Sequence, residues 1–388
     1  MMRGSLIYGI QLNIINMLKV GSDFSGVGAF NQALIRLGVK YKEVFACDMD
    51  KYARETFIHN YGEPKYYPMN VYDREIPSES LDIYMTSPPC QAFSLAGKRL
   101  GKEDKRGILF FNSYEFIQVN KPRYFIFENV KGLLSDDNGK TFSEWVNLLG
   151  GKSVNGNSVI FPYEDSLPYH LHWQVLNAKK HGVPQNRERV FLIGIRDDKD
   201  NNFRFPVEEH LTKRLKDVLE NDVDDKYFLS EDTINTIMKS NFLDTKPMDF
   251  SRQDYIKENI SKCIKVGGEV PCFIVKSATT KGYEEEINKK LMVGDYRTDE
   301  GFRWREDGNS PAIMAMMRDT WKANFTGQNP PIVLMEYKIR RLTPRECFRL
   351  MDFPDSFTWT VSDSQAYKQA GNSIVVNVLY KILKNLNL

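Results

Sequence analysis

Cysteine is scarce in this chain, and its spacing pairs nothing. Cys47, Cys90, Cys263, Cys272 and Cys347 make an odd count of five with no CxxC pair. That argues against a disulfide scaffold or a cysteine-based zinc framework and points to a reducing compartment. Histidine is as thin, with five scattered residues (His59, His170, His172, His181, His210). Only His170-x-His172 approaches ligand spacing, and alternation along a strand accounts for it, so no metal site is expected. No apolar run reaches membrane-spanning length, and a cytoplasmic protein without membrane contact is expected. Residues 1–16 are interrupted by Gln11, Asn13 and Asn16, too polar for a signal-peptide core. They read as a dispensable extension or an upstream start ahead of Met17. Charge of one sign is lacking too. The net charge is +2, so a nucleic-acid partner would have to be held by a local patch.

What is present is a regular alternation. Strands are expected at 18–21, 44–47, 81–85, 123–127, 173–176 and 189–194, with helices at 31–37, 51–60 and 107–119. This predicts an α/β fold with a doubly wound parallel or mixed sheet. After Arg196 the pattern breaks into charged, glycine-rich and proline-rich sequence, which reads as a second, smaller, loop-rich domain. The expected division is an extension at 1–16, a main domain at 17–196 and 365–388, and the second domain with its hinge at 197–364. A closing helix is expected over 373–386.

The chain is organised around Thr86-Ser87-Pro88-Pro89-Cys90-Gln91-Ala92-Phe93-Ser94. Two prolines end the preceding strand abruptly, because each fixes φ and lacks an N–H. Cys90 therefore stands on a stiff loop at the carboxyl end of a strand, where open α/β sheets place their ligands. A stiff loop suits a nucleophile that must meet one carbon atom closely. By itself a free cysteine is more often a core residue.

Gly26-x-Gly28 follows the first strand as a glycine turn of the nucleotide-binding kind. Asn31 stands where the third glycine of the dinucleotide fingerprint belongs, which counts against a pyrophosphate. Asp48, at the end of the second strand, is placed to accept hydrogen bonds from ribose hydroxyls. Asp82 is read as a carboxylate at the end of a later strand, facing an adenine amino group. A nucleoside cofactor without pyrophosphate follows, and S-adenosyl-L-methionine fits.

Further signatures stand beyond these: Glu128-Asn129-Val130 at the end of the strand 123–127, Gln185-Asn186-Arg187-Glu188-Arg189 entering the next, Arg340-Arg341-Leu342-Thr343-Pro344-Arg345-Glu346, and Gln369-Ala370-Gly371-Asn372-Ser373, read as opening the last helix. Together with Pro89-Cys90-Gln91, in this order, they resemble the C5-cytosine DNA methyltransferases over 18–196 and 338–388, with a family signature at 340–358. The resemblance implies a Rossmann-like methyltransferase sheet and a target recognition domain in the irregular region. It implies cofactor contacts from Phe24, Ser25, Gly26, Val27, Gly28, Asp48, Met49, Asp82, Ile83, Pro89, Leu109 and Asn372. Cys90 would be the nucleophile, Glu128 the acid at the cytosine ring, and Arg187 and Arg189 its companions. Three departures stand out, one of them the flexible Met49 where the family often has a bulky side chain against adenine. Ser22 holds the place where the family often has an acidic residue, with Asp23 adjacent, and the ribose carboxylate is the shorter Asp48.

A target carbon inside a duplex requires base flipping. Residues 98–106 carry Lys98, Arg99, Lys102, Lys105 and Arg106 against Glu103 and Asp104, and read as a phosphate-seeking lid over Cys90. Gln91, Lys98, Arg99, Arg106, Arg297, Arg303 and Arg318 are the expected DNA contacts. The partner is double-stranded DNA, met by a monomer in a bacterial or phage-infected cell. A cognate restriction endonuclease acting on the same site without stable contact is a further expected partner. The alternatives are an RNA cytosine methyltransferase of the same fold and a catalytically inactive DNA-binding regulator.

Overall fold

The computed structural model describes residues 17–89, 108–197, 202–230, 337–386 and 388, and short strands between 260 and 310. In chain order the elements are β1 (Leu18–Asp23), α1 (Ala29–Leu37), β2 (Tyr41–Cys47), α2 (Lys51–Tyr61), β3 (Ile83–Thr86), α3 (Ile108–Asn120), β4 (Tyr124–Val130), α4 (Lys140–Leu149), β5 (Ser153–Val154), β6 (Asn157–Ser158), β7 (His170–Asn177), β8 (Gln185–Asn186) and β9 (Glu188–Ile195). After the second region come α5 (Pro344–Leu350), α6 (Asp363–Asn372) and α7 (Val376–Lys384).

An eight-stranded sheet runs in the order β2-β1-β3-β4-β9-β7-β5-β6. Its first four strands are parallel, and β9 lies antiparallel to both β4 and β7. The sheet is therefore mixed and doubly wound, because each central strand buries both faces. On β3 and β4, Ile83, Met85, Tyr124 and Ile126 pack into one core, with α1 and α7. Tyr84, Phe125 and Phe127 alternate into a second core, with α3 and α4. That two-residue alternation with every position apolar is the pattern of a strand covered on both sides. Phe110 stacks on Trp145 at 4.1 Å, and Tyr84 on Phe116 at 4.1 Å, which fixes α3 against α4 and the sheet.

Three helices were not legible in the residue pattern. Among them, α5 opens with a capping box in which Thr343 and Glu346 each bond the other's backbone, with Pro344 in the first turn. The Glu346 carboxylate also pairs with buried Arg340 at 2.7 Å. One expectation is corrected. Gln369 to Asn372 closes α6, and the last helix opens only at Val376. Buried Ala366, Tyr367, Gln369 and Ala370 form a helical stripe that carries α6 through Gly371 to its cap at Ser373.

The core that holds α1 and α7 also takes in Phe203, Leu215, Val218 and Tyr227, and Leu342, Phe348, Met351 and Phe357. Both ends of the stretch 197–364 thus pack into the sheet unit. An antiparallel bridge between Phe228 and Arg340 brings these two ends side by side.

Candidate active site

The site forms where β1, β2, β3 and β4 end. Past β1 the backbone turns through Phe24 (φ 56°), Gly26 (φ 54°) and Gly28 (φ 81°), in left-handed territory that favours glycine. At Gly28 a Cβ would also lie 2.2 Å from the Tyr61 ring, whose hydroxyl donates to the Gly28 carbonyl at 3.0 Å. At Gly26 a Cβ would meet nothing within 4 Å, so the turn is open on that side. The Gly26 N–H donates to Asp48 Oδ2 at 2.7 Å, and the Asp50 N–H to Oδ1 at 2.8 Å. Each carboxylate oxygen keeps a further lone pair for another donor. Burial pushes the Asp48 carboxyl above its usual range, against the pull of those N–H groups. An open turn beside a partly solvated carboxylate fits the hydroxyl-bearing half of a nucleoside cofactor.

Around this turn the expected residues divide. Ser25 anchors it, its N–H donating to the Cys47 carbonyl at 3.0 Å. Met49 is 80 % exposed at the rim. Val27 is buried in the core, so only its backbone faces the turn. Leu109 lies half-buried on α3. Asn372 is exposed at the end of α6, which Gln369 fastens to α2 through the Tyr52 carbonyl at 2.9 Å. Asp82 and Ile83 are a correction. They stand at the start of β3, the opposite edge of the sheet, where Asp82 accepts from the Lys19 N–H at 2.8 Å and Ile83 is core. The segment that does flank Asp48 is 66–70. The Ala46 N–H donates to the Tyr66 carbonyl at 3.2 Å, the Tyr67 hydroxyl lies 3.2 Å from Ser25 Oγ, and Arg54 covers the Tyr67 ring at 3.8 Å. Nothing in the residue pattern marked this loop, apart from the adjacent tyrosines. Asn31 is buried below, its amide donating to Glu43 Oε2 at 2.6 Å. Burial pushes the Glu43 carboxyl up to about 7.

The other half of the site lies across Pro88. Asn129 at the end of β4 donates to the Pro88 carbonyl at 3.2 Å, and Ser87 Oγ to the Phe24 carbonyl at 3.4 Å. The root of the Pro-Pro-Cys loop is thereby tied to both the glycine turn and β4. Glu128, 7 % exposed, meets Arg189 Nε at 3.0 Å. Burial pushes its carboxyl up, and Arg189 and then Arg187 pull it down, leaving it raised. Arg187 stands differently from the expectation. It is buried, and its guanidinium donates to the carbonyls of Ser373 at 2.7 Å and Gly371 at 3.2 Å, either side of Asn372. Its charge reaches Glu128, while its hydrogen bonds hold the end of α6. Cys90, Gln91, Lys98, Arg99, Arg106 and Arg318 lie outside the described residues. Arg297 and Arg303 fall on the paired strands Gly294–Arg297 and Gly301–Trp304.

A doubly wound sheet with its polar groups gathered at the carboxyl ends of β1 to β4 defines an enzyme of the nucleoside-cofactor class. The family model for C-5 cytosine-specific DNA methylase matches residues 18–387, and the chain belongs to that family. Its members take their methyl group from S-adenosyl-L-methionine, so the chain is a DNA cytosine methyltransferase of the restriction–modification type. It is 33% identical over 451 residues to the orphan methyltransferase M.SPRI of Bacillus phage SPR, covering 95% of this chain and 97% of that protein. It is 33% identical over 365 residues to the type II methyltransferase M.HhaI of Haemophilus parahaemolyticus, covering 94% and 92%. Among solved structures, the S. pombe Dnmt2 methyltransferase superposes with a TM-score of 0.58 at 20% identity, covering 96% of this chain and all of that one, a likeness of fold. No helix among the described residues is long and apolar enough to cross a membrane.

Proposed function

We propose that this enzyme methylates carbon 5 of a cytosine flipped out of a specific duplex DNA site, through a transient bond between Cys90 and carbon 6. The observation that carries the reading is the buried Glu128–Arg189 pair, joined through Asn129 to the carbonyl of Pro88, two residues before Cys90. Carbon 5 of cytosine is a poor nucleophile. A Cys90 thiolate adding to carbon 6 pushes the ring electrons toward N3 and carbon 5. Glu128, its carboxyl pushed up by burial, donates a proton at N3 as that charge builds. Arg189 holds the Glu128 carboxyl in place and offers its remaining N–H groups to the ring oxygen. Arg187 is assigned a positioning role, holding the loop that bears Asn372. S-adenosyl-L-methionine, when bound, supplies an electrophilic methyl group on sulfur. The Gly26 turn, Asp48 and the 66–70 segment would hold its nucleoside half, with Pro89, Leu109 and Asn372 around it. Loss of the carbon 5 proton and expulsion of Cys90 then restore the aromatic ring.

Sequence readout is assigned to the segment between the Phe228–Arg340 ends, with Arg297, Arg303 and Arg318 as candidate base contacts and Gln91, Lys98, Arg99 and Arg106 on the DNA near Cys90. A soluble cytoplasmic monomer fits this task, with or without an endonuclease reading the same site. Bisulfite sequencing of DNA from an expressing host tests the reading. Cytosines protected at one recurrent site are expected. Unprotected DNA together with methylated tRNA would move the substrate to RNA, and no methylation of either would leave the inactive regulator.

A further inference from the structure

Asp23 is the residue after the place where the family often has its acidic group, and it does not take over that position. Alternation along β1 turns it to the other face of the sheet, into the aromatic core, where it is 1 % exposed. There Arg74 Nε lies 2.9 Å from Asp23 Oδ1, and the Tyr84 hydroxyl donates to Oδ2 at 2.5 Å. The Arg74 guanidinium sits 4.6 Å from the Phe116 ring centroid and 5.8 Å from that of Phe45. It also donates to the Asn112 carbonyl at 3.3 Å.

Each member of this cluster belongs to a different wall of the cleft. Asp23 directly precedes Phe24 and the glycine turn. Arg74 ends the loop that carries Tyr67 and Asn70, and the next N–H, that of Glu75, donates to the Tyr66 hydroxyl at 2.7 Å. Asn112 is one helical turn from Leu109 on α3, and neighbouring Ser113 lies 2.8 Å from the Thr86 hydroxyl at the end of β3. Tyr84 lies on β3, which leads into Pro88 and Pro89.

Burying an ion pair in an aromatic core is a poor way to gain stability, because desolvation offsets the attraction and an apolar pair of similar volume often does as well. What the charges add is direction: a carboxylate with Arg74 at one oxygen and the Tyr84 hydroxyl at the other, and a guanidinium that also reaches the Asn112 carbonyl, admit few relative placements of the segments that carry them. We propose that Asp23, Arg74 and Tyr84 form a buried positioning hub that sets the spacing between the glycine turn, the 66–70 loop and α3, and through it the affinity for S-adenosyl-L-methionine. The proposal rests on the reading that this cleft holds the cofactor.

The test compares the wild type with Asp23→Leu/Arg74→Met, which removes both charges together, with Arg74→Lys, and with Tyr84→Phe. Each is measured by thermal melting, by calorimetric titration with S-adenosyl-L-methionine in the absence of DNA, and by steady-state kinetics. The double variant is expected to melt within about 5 °C of wild type. Its dissociation constant and cofactor KM should rise about 10- to 100-fold, with kcat at saturating cofactor nearly unchanged. Arg74→Lys, which keeps the charge but loses the fork, should fall between the two. Tyr84→Phe, which removes one hydroxyl and no volume, should raise KM about threefold or more. Wild-type cofactor affinity in whichever of these variants folds overturns the hub. Failure of the wild type itself to bind S-adenosyl-L-methionine would overturn the cofactor reading instead.

Discussion

Glu128 and Arg189 meet diagonally across the antiparallel pair β4–β9, Oε1 and Nε 3.0 Å apart, with Val130 directly opposite Arg189. Diagonal neighbours on one face of a sheet are within reach of a long side chain. The pair is enclosed, so the carboxyl is held raised yet oriented, the condition of a proton donor. Glu128→Gln should therefore lower kcat by about 10²-fold or more, with little change in cofactor KM. The sign of the pH dependence follows. On the proposed role the protonated acid is the working form, so wild-type turnover should decline as pH rises through the Glu128 pKa. A pH–rate profile of the glutamine variant should lack that limb.

Asp48 does two jobs, fastening the Gly26 turn and keeping acceptor capacity toward the open side. Its hydrogen bonds serve ground and transition states alike, so their loss is uniform. Asp48→Ala is expected to raise cofactor KM about 10-fold or more while kcat stays within a few-fold, read from initial rates at saturating DNA. A fall in kcat with KM intact would place Asp48 in the chemistry.

Glu43 makes a prediction about stability. Its folded-state value of about 7 exceeds that of a free glutamate, so the folded chain binds the extra proton between roughly pH 4.5 and 7. Stability from this group is present in full below that window and is lost as pH rises through it, about 3 kcal/mol in all. Glu43→Gln keeps a neutral partner for Asn31. Melting temperatures from pH 5 to 8 should flatten in the variant and exceed those of wild type at the alkaline end.

The covalent step is tested on a duplex with 5-fluorocytosine at the target base. Fluorine cannot depart as the carbon 5 proton does, so the protein should stay attached to DNA in the presence of S-adenosyl-L-methionine and survive boiling in detergent. Cys90→Ser should abolish the adduct, a hydroxyl being far less ionised than a thiol. An adduct that persists in that variant would move the nucleophile elsewhere.

The central strands were legible because Ile83 to Thr86 and Tyr124 to Val130 are apolar at nearly every position, with turn residues at both ends. What failed was direction and distance. Leu81 blurred the start of β3, so Asp82 was placed at the wrong edge of the sheet. Arg187 and Arg189 sit two apart, and only the break between β8 and β9 sends one to backbone carbonyls and the other to a carboxylate. Arg74 carried no signal, since a lone arginine in a loop ordinarily belongs to the surface and its partner is 51 residues away along the chain. Helices α5 and α6 were hidden by Arg345, Arg349 and Lys368, charged residues interleaved with the buried stripe.

The Phe228–Arg340 bridge bears on how this chain changes over evolutionary time. Two ends held together turn everything between them into a closed loop, and the entropy of closing a loop grows only with the logarithm of its length, about 0.6 kcal/mol for each doubling. On this count a change in the length of that segment adds little to the entropy of closing it. On the proposed reading, the bridge marks a seam at which a lineage can exchange the segment between its ends while the sheet unit keeps its chemistry.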